Sequence, residues 1–106
     1  MPPPARVVLV AAPRGRRAEA LARGLVAGRL AACVNVVPGL TSVYRWKGKV
    51  VRDPEALLVI KTTAARLPAL ERWVRKNHPY EVPELLALPV AAGSRPYLAW
   101  LSEQVR

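Results

Sequence analysis

Three stretches of this chain are apolar without a break: Val7 to Ala12 in "RVVLVAA", Ala56 to Ile60 in "EALLVI" and Leu85 to Ala87 in "ELLALPV". Successive side chains of a β-strand point to opposite faces, so a strand with one wet face alternates apolar with polar residues. Unbroken β-branched runs are instead the pattern of strands covered on both sides. Whatever this chain folds into must shield both faces of its sheet. Its 106 residues make one domain, 1–106, since a second core does not fit in that length.

The remaining elements follow from local chemistry. "RVVLVAA" (6 to 12) is a strand that ends at Pro13 and Gly15, after a Pro-rich start expected to be loose. From Arg16 to Leu30, residues Ala18, Leu21, Ala22, Leu25, Val26 and Leu30 recur with the period of one helical face. "AACVNVV" (31 to 37) and "TSVYRW" (41 to 46) read as one long strand, bent or bulged at Pro38 and Gly39. "KGK" (47 to 49) turns it back into residues 50 to 62, with Pro54 expected to limit pairing at the outer end. Thr63 to Lys76 reads as a second helix with Pro68 tolerated in its first turn. That helix stops near Asn77, because His78 precedes Pro79 and is pushed to extended geometry. "ELLALPV" (84 to 90) is a fourth strand, and Ser94 caps a last helix through Val105. The order βαββαβ plus a C-terminal helix is the split βαβ, ferredoxin-like α+β arrangement, with a long hairpin between the second and third strands.

In that arrangement the two main helices cover one face of the sheet, and the last helix is too short to cover the other. The residual apolar patch exceeds the few hundred Å² that soluble monomers tolerate, so other copies of the chain are expected to cover it. The competing expectation is a monomer whose sheet curls tightly over its last helix. The long hairpin favours assembly, since its free edges call for a partner.

Seventeen Lys and Arg against seven Asp and Glu give a net charge of +10, which raises nucleic acid as a partner. The thirteen arginines and four lysines are nevertheless spread over helices and loops, with "RGRR" at 14 to 17 the only tight cluster. A nucleic-acid face needs clustered charge, and RNA recognition needs aromatics on the central strands, where this chain has none. A single cysteine, Cys33, excludes an intrachain disulfide. The N-terminal apolar run is too short for a signal-peptide core or a membrane span, so a cytoplasmic protein is the expectation.

Few residues carry chemistry. In "AACVNVV" the strand period sets Cys33 and Asn35 on one face. Cys33 is either a small buried hydrophobe or a soft ligand for a metal such as Cu(I) or Zn. His78, the only histidine, sits in "KNHPYEVPELLALPV" between Asn77 and Pro79, where two prolines stiffen the backbone around Tyr80, Glu81 and Glu84. It is either a hydrogen-bonded loop residue or a ligand held by a rigid support. One Cys and one His do not complete a four-ligand zinc site, so a metal here needs carboxylates, water or a neighbouring subunit. No Walker loop or GxGxxG is present, and beside His78 the pair Glu81 and Glu84 has no apparent nucleophile and no orienting partner for acid and base work.

Four segments together, "LAACVNVVPGLTSVYRWKGKV", "EALLVIKTT", "HPYEVPELLALPV" and "YLAWL", resemble the CutA family of divalent-cation tolerance proteins, in order and along almost the whole chain. The resemblance implies a cytosolic homotrimer of ferredoxin-like subunits, with an architecture similar to the PII signalling proteins. It implies a role in tolerance of copper and other divalent cations, with no enzymatic reaction and no cofactor required for folding. Carried across by motif, Cys33, His78 and Glu84 are the metal-ligand candidates near subunit contacts. Tyr44, Trp46, Tyr80 and Trp100 are implied to be packing and interface residues. The alternative function is a PII-like signalling trimer that binds a small anion or nucleotide between subunits.

Overall fold

β1 (Ala5–Ala12) is paired on both sides, and the computed structural model, which describes residues 4–106, arranges the other elements around it. After it come α1 (Arg16–Ala27), β2 (Cys33–Trp46), β3 (Lys49–Thr63), α2 (Leu67–Asn77), β4 (Leu86–Pro89) and α3 (Arg95–Gln104). The sheet order is β2-β3-β1-β4, antiparallel throughout, so β3 lies between the parallel pair β1 and β2. The loose start expected for the leading prolines falls on residues 1–3, outside the described residues; the Pro4 carbonyl already accepts from the Ala64 N–H at 2.9 Å.

β2 is one strand, as expected, and its pairing with β3 slips between Val37 and Leu40, where Pro38 and Gly39 form the bulge. Lys47 and Gly48, both at positive φ, make the two-residue turn. Pro54 does not limit the hairpin: pairing runs through Thr41 and Pro54 to Trp46 and Lys49. β1 stops pairing with β3 at Ala56, so the outer part of β3 has an open edge, where a residue without an N–H is tolerated.

Three boundaries differ from expectation. α1 ends at Ala27 rather than Leu30 because Arg29 turns left-handed at φ 57°, and the N–H groups of Leu30 and Ala31 both fold back to the Leu25 carbonyl. Leu30 keeps the helical spacing yet reaches the core from the turn. Residues 64–66 form a 3-10 turn ahead of α2, with Pro68 in the first turn of α2 proper. β4 is shorter than "ELLALPV", covering only Leu86–Pro89. Ser94 caps α3 as expected, its Oγ accepting from the Tyr97 N–H.

The core lies on one face of the sheet. Val8, Val10, Ala12, Leu58 and Ile60 point into it and meet Leu21 and Leu25 of α1 and Leu70 and Val74 of α2. On the opposite face the register aligns three rows: Cys33, Lys61, Val7 and Leu88; Asn35, Val59, Leu9 and Leu86; and Val37, Leu57 and Ala11. α3 covers only one end of this face, where Leu101 and Val105 pack on Ala5 and Ala32. The rest stays open, with Leu86 58% and Leu88 47% exposed. Among the described residues no helix is long and apolar enough to cross a membrane.

Gly24 sets the spacing of α1 against α2. A Cβ there would lie 2.5 Å from Cζ2 of the Trp73 ring, which is packed against the core. Alanine is the better helix former by about 1 kcal/mol, but overpacking costs about 1–3 kcal/mol. Gly24→Ala is therefore expected to lower unfolding stability by up to about 2 kcal/mol, read as a reduced urea midpoint at unchanged slope.

Candidate functional site

The one imidazole completes a strand. The Ala5 carbonyl accepts from the Val90 N–H on the β4 side, and by the alternation of antiparallel pairing the Ala11 carbonyl faces that side too. β4 pairs no further than Leu86, opposite Leu9, so Ala11 has no strand partner there. His78 supplies one: its Nε2 lies 2.8 Å from the Ala11 carbonyl, and the ring is 7% exposed. Nδ1 accepts from the Tyr80 N–H at 3.1 Å, which fixes Nε2–H as the donor. Both ring nitrogens are thus engaged within the chain. Ligating a metal would cost His78 one of these bonds and leave a part-buried backbone group without its partner.

The loop that His78 anchors forms one wall of a cleft of about 680 Å³ against the arm of the long hairpin beyond the bulge. Glu55 lies at its floor, only 5% exposed, with Oε2 accepting from the Tyr80 hydroxyl at 2.6 Å. Tyr44 and Trp46 of β2 form the opposite wall, and the Tyr44 hydroxyl donates to Asp53. Glu81 and Glu84 complete the rim, so three of the seven acidic residues line the cleft, and no Arg or Lys does. Burial, then the hydrogen bond to Glu55, push the Tyr80 hydroxyl far above its ordinary value, so it remains a donor across the physiological range. The hydrogen bond to Asp53 raises the Tyr44 hydroxyl in the same direction. Burial, and secondarily the charge of Glu55, raise the Glu84 carboxyl above the usual carboxylate range.

Arg14 holds the cleft's far end. Reaching from the β1–α1 loop, its guanidinium donates to the Leu40 carbonyl at 2.7 Å and the Glu55 carbonyl at 3.4 Å, tying the segment just past the bulge to β3. Sequence reasoning saw Arg14 only as part of a charge cluster and did not single out Glu55. The available signal for Glu55 was a lone carboxylate abutting the apolar run 56 to 60.

Cys33 and Asn35 share the open face, as the strand period requires. Cys33 is half-buried beside Lys61, whose ammonium donates to the Asn35 side-chain oxygen. The cysteine is six positions along β3 from the floor of the cleft, measured from its partner Lys61 to Glu55, or about 20 Å. A single copy therefore brings His78 and Glu84 into one loop and leaves Cys33 at the other end of the same face. Among the described residues no three His, Cys, Asp or Glu side chains converge as a metal site would require.

The fold and site together define a small α+β protein whose sheet is open on one face and whose acidic, aromatic cleft opens beside it. The model of the family described as CutA1 divalent ion tolerance protein matches residues 6–104. The chain is 56% identical over 97 residues to the divalent-cation tolerance protein CutA of Thermus thermophilus, covering 92% of this chain and 94% of that one. It is 50% identical over 94 residues to human protein CutA, covering 89% of this chain and only 52% of the human protein. The solved structure of the Thermus thermophilus protein superimposes with a TM-score of 0.94 at 53% identity, covering 96% of this chain and 99% of that one. CutA1 from Oryza sativa superimposes at 0.96 with 47% identity, covering 99% and 96%. This chain belongs to the CutA1 divalent ion tolerance protein family.

Two outcomes follow from the site. Replacing His78 by alanine leaves the part-buried Ala11 carbonyl without its protein partner, which is expected to cost about 1 kcal/mol in denaturant unfolding. For Glu84 the folded-state proton affinity is raised, so the stability it contributes is present below the unfolded value near about 4.3 and is lost as pH rises through the folded value. Glu84→Gln removes that loss. Its thermal midpoint is expected to gain on the wild type between about pH 4 and pH 7, and a constant difference across that range would contradict the assignment.

Proposed function

We propose that this protein acts in tolerance of divalent cations, copper among them, as a homotrimer that binds the ion with side chains drawn from more than one copy. The observation that carries this reading is the open sheet face. It is apolar, it carries Cys33, and it continues through Leu57 and Ala11 to the cleft. Fully burying an exposed Leu side chain is worth about 1.5–3 kcal/mol, so covering the exposed Leu86 and Leu88, and completing the burial of the half-buried Val7, Leu9, Leu57 and Val59, favours self-association. The family's description as one of divalent ion tolerance supports the physiological role.

Cys33 and the Glu84 loop lie toward opposite ends of that face. A cyclic head-to-tail packing is the arrangement that sets the cysteine of one copy near the carboxylate of the next, and a rotation by a third of a turn closes it. The soft thiolate then selects copper, and Glu84 contributes a carboxylate whose proton affinity is raised by burial and, secondarily, by the charge of Glu55. His78 contributes by holding the loop in place.

Sedimentation at micromolar concentration is expected to give three times the chain mass. Calorimetric titration with Cu(I) and Cu(II) is expected to show saturable binding that Cys33→Ala and Glu84→Gln each weaken by about tenfold or more. A compact single copy, or copper binding indifferent to both substitutions, contradicts this function.

A further inference from the structure

The cleft under the hairpin has features that a metal site does not need. Glu55 is nine-tenths buried, and of its two carboxylate oxygens only Oε2 accepts a hydrogen bond among the described residues. Oε1 is not sealed away, since no fully buried side-chain oxygen there lacks a partner, so it opens to the cavity. The two ion pairs among the described residues, Arg23 with Glu19 and Arg106 with Glu103, both lie elsewhere. Of Glu55 the Arg14 guanidinium reaches only the backbone carbonyl, at 3.4 Å, so in a chain with ten excess positive charges this buried carboxylate makes no ion pair, although burying a charge is costly.

The walls indicate what kind of cation would relieve it. A bare divalent ion is held by three or more converging donors at about 2–2.5 Å, and no such convergence exists here among the described residues. The cavity, about 680 Å³, falls in the range of small-molecule sites rather than ion sites. The rings of Tyr44 and Tyr80 line it, and even part-exposed ring faces attract organic cations modestly, whereas the Trp46 ring already has the Lys47 ammonium 6.0 Å from its centroid. Carboxylates at floor and rim with aromatic walls between them are the complement of a protonated amine on a short carbon chain.

We propose that this cleft binds a small organic ammonium compound, its charged nitrogen donating to Glu55 Oε1 and its carbon chain lying against Tyr44 and Tyr80. Glu81 and Glu84 at the rim accommodate a second ammonium, so a diamine fits better than a monoamine. The site is separate from Cys33, about 20 Å away along β3, and it stands whether or not copper binds there.

The test is calorimetric titration of the full-length protein with putrescine, using butylamine as the monoamine and sodium chloride at matched ionic strength as control. Saturable binding of putrescine, tighter than butylamine and absent with sodium, is expected. Glu55→Gln is expected to weaken it by about tenfold or more through loss of the charge-assisted hydrogen bond, and Tyr44→Leu, on the opposite wall, by about threefold. Cys33→Ala leaves it unaltered, which separates this site from the copper reading. Absence of saturable heat up to about 10 mM putrescine overturns the proposal, as does equal binding of the two amines or affinity that survives both cleft substitutions. A fall in sedimentation mass on Glu55→Gln, with no amine binding to the wild type, shows instead that a basic side chain of another copy fills the cleft.

Discussion

Everything in this molecule is arranged around a strand that is hydrogen-bonded along both edges and apolar on both faces. β1 pairs with β3 over its whole length and with β4 over half of it, and its side chains alternate between the helix-covered core and the open face. With no polar face, β1 cannot sit at a wet surface. The sheet needs α1 and α2 on one side and a covering of some other origin on the second, which α3 supplies only at one end.

The mismatch between β1 and its shorter neighbour also creates the site. Where β4 gives out, a backbone carbonyl is left over, and the imidazole that satisfies it anchors the loop bearing Tyr80, Glu81 and Glu84. The stiff backbone around His78 has a structural explanation: Pro79 forces the extended geometry that ends α2 and aims the ring at Ala11. Tyr80, next in line, stacks obliquely against the imidazole at 4.7 Å and reaches Glu55. A requirement of backbone pairing thus becomes a wall of the cleft.

Much of this was legible in advance, for identifiable reasons. The bulge at Pro38 and Gly39, the stop of α2 before Pro79 and the cap at Ser94 follow from covalent constraints or local hydrogen bonds, which act over a few residues. The end of α1 was misjudged because Leu30 obeys the helical period while belonging to the turn, and periodicity does not distinguish the two. Arg14 and Glu55 escaped notice because their partners are far off in sequence: Leu40 for the one, Tyr80 for the other. Cys33, Asn35 and His78 were visible as residue types. Where each would lie relative to the others depended on strand register, which short-range patterns do not carry.

The bulge has a further effect. Ahead of it, odd-numbered residues of β2 share the side of Lys61, Val59 and Leu57; beyond it, even-numbered residues oppose Glu55, Asp53, Val51 and Lys49 on that same side. One surplus residue therefore inverts the parity of the outer strand. It is the reason that Tyr44 and Trp46 look toward the carboxylates, whereas an unbulged ribbon would present Val43 and Arg45 and quench the negative field with a guanidinium. The chemical character of the cavity rests on a single insertion in the backbone, remote from any group that would touch a ligand.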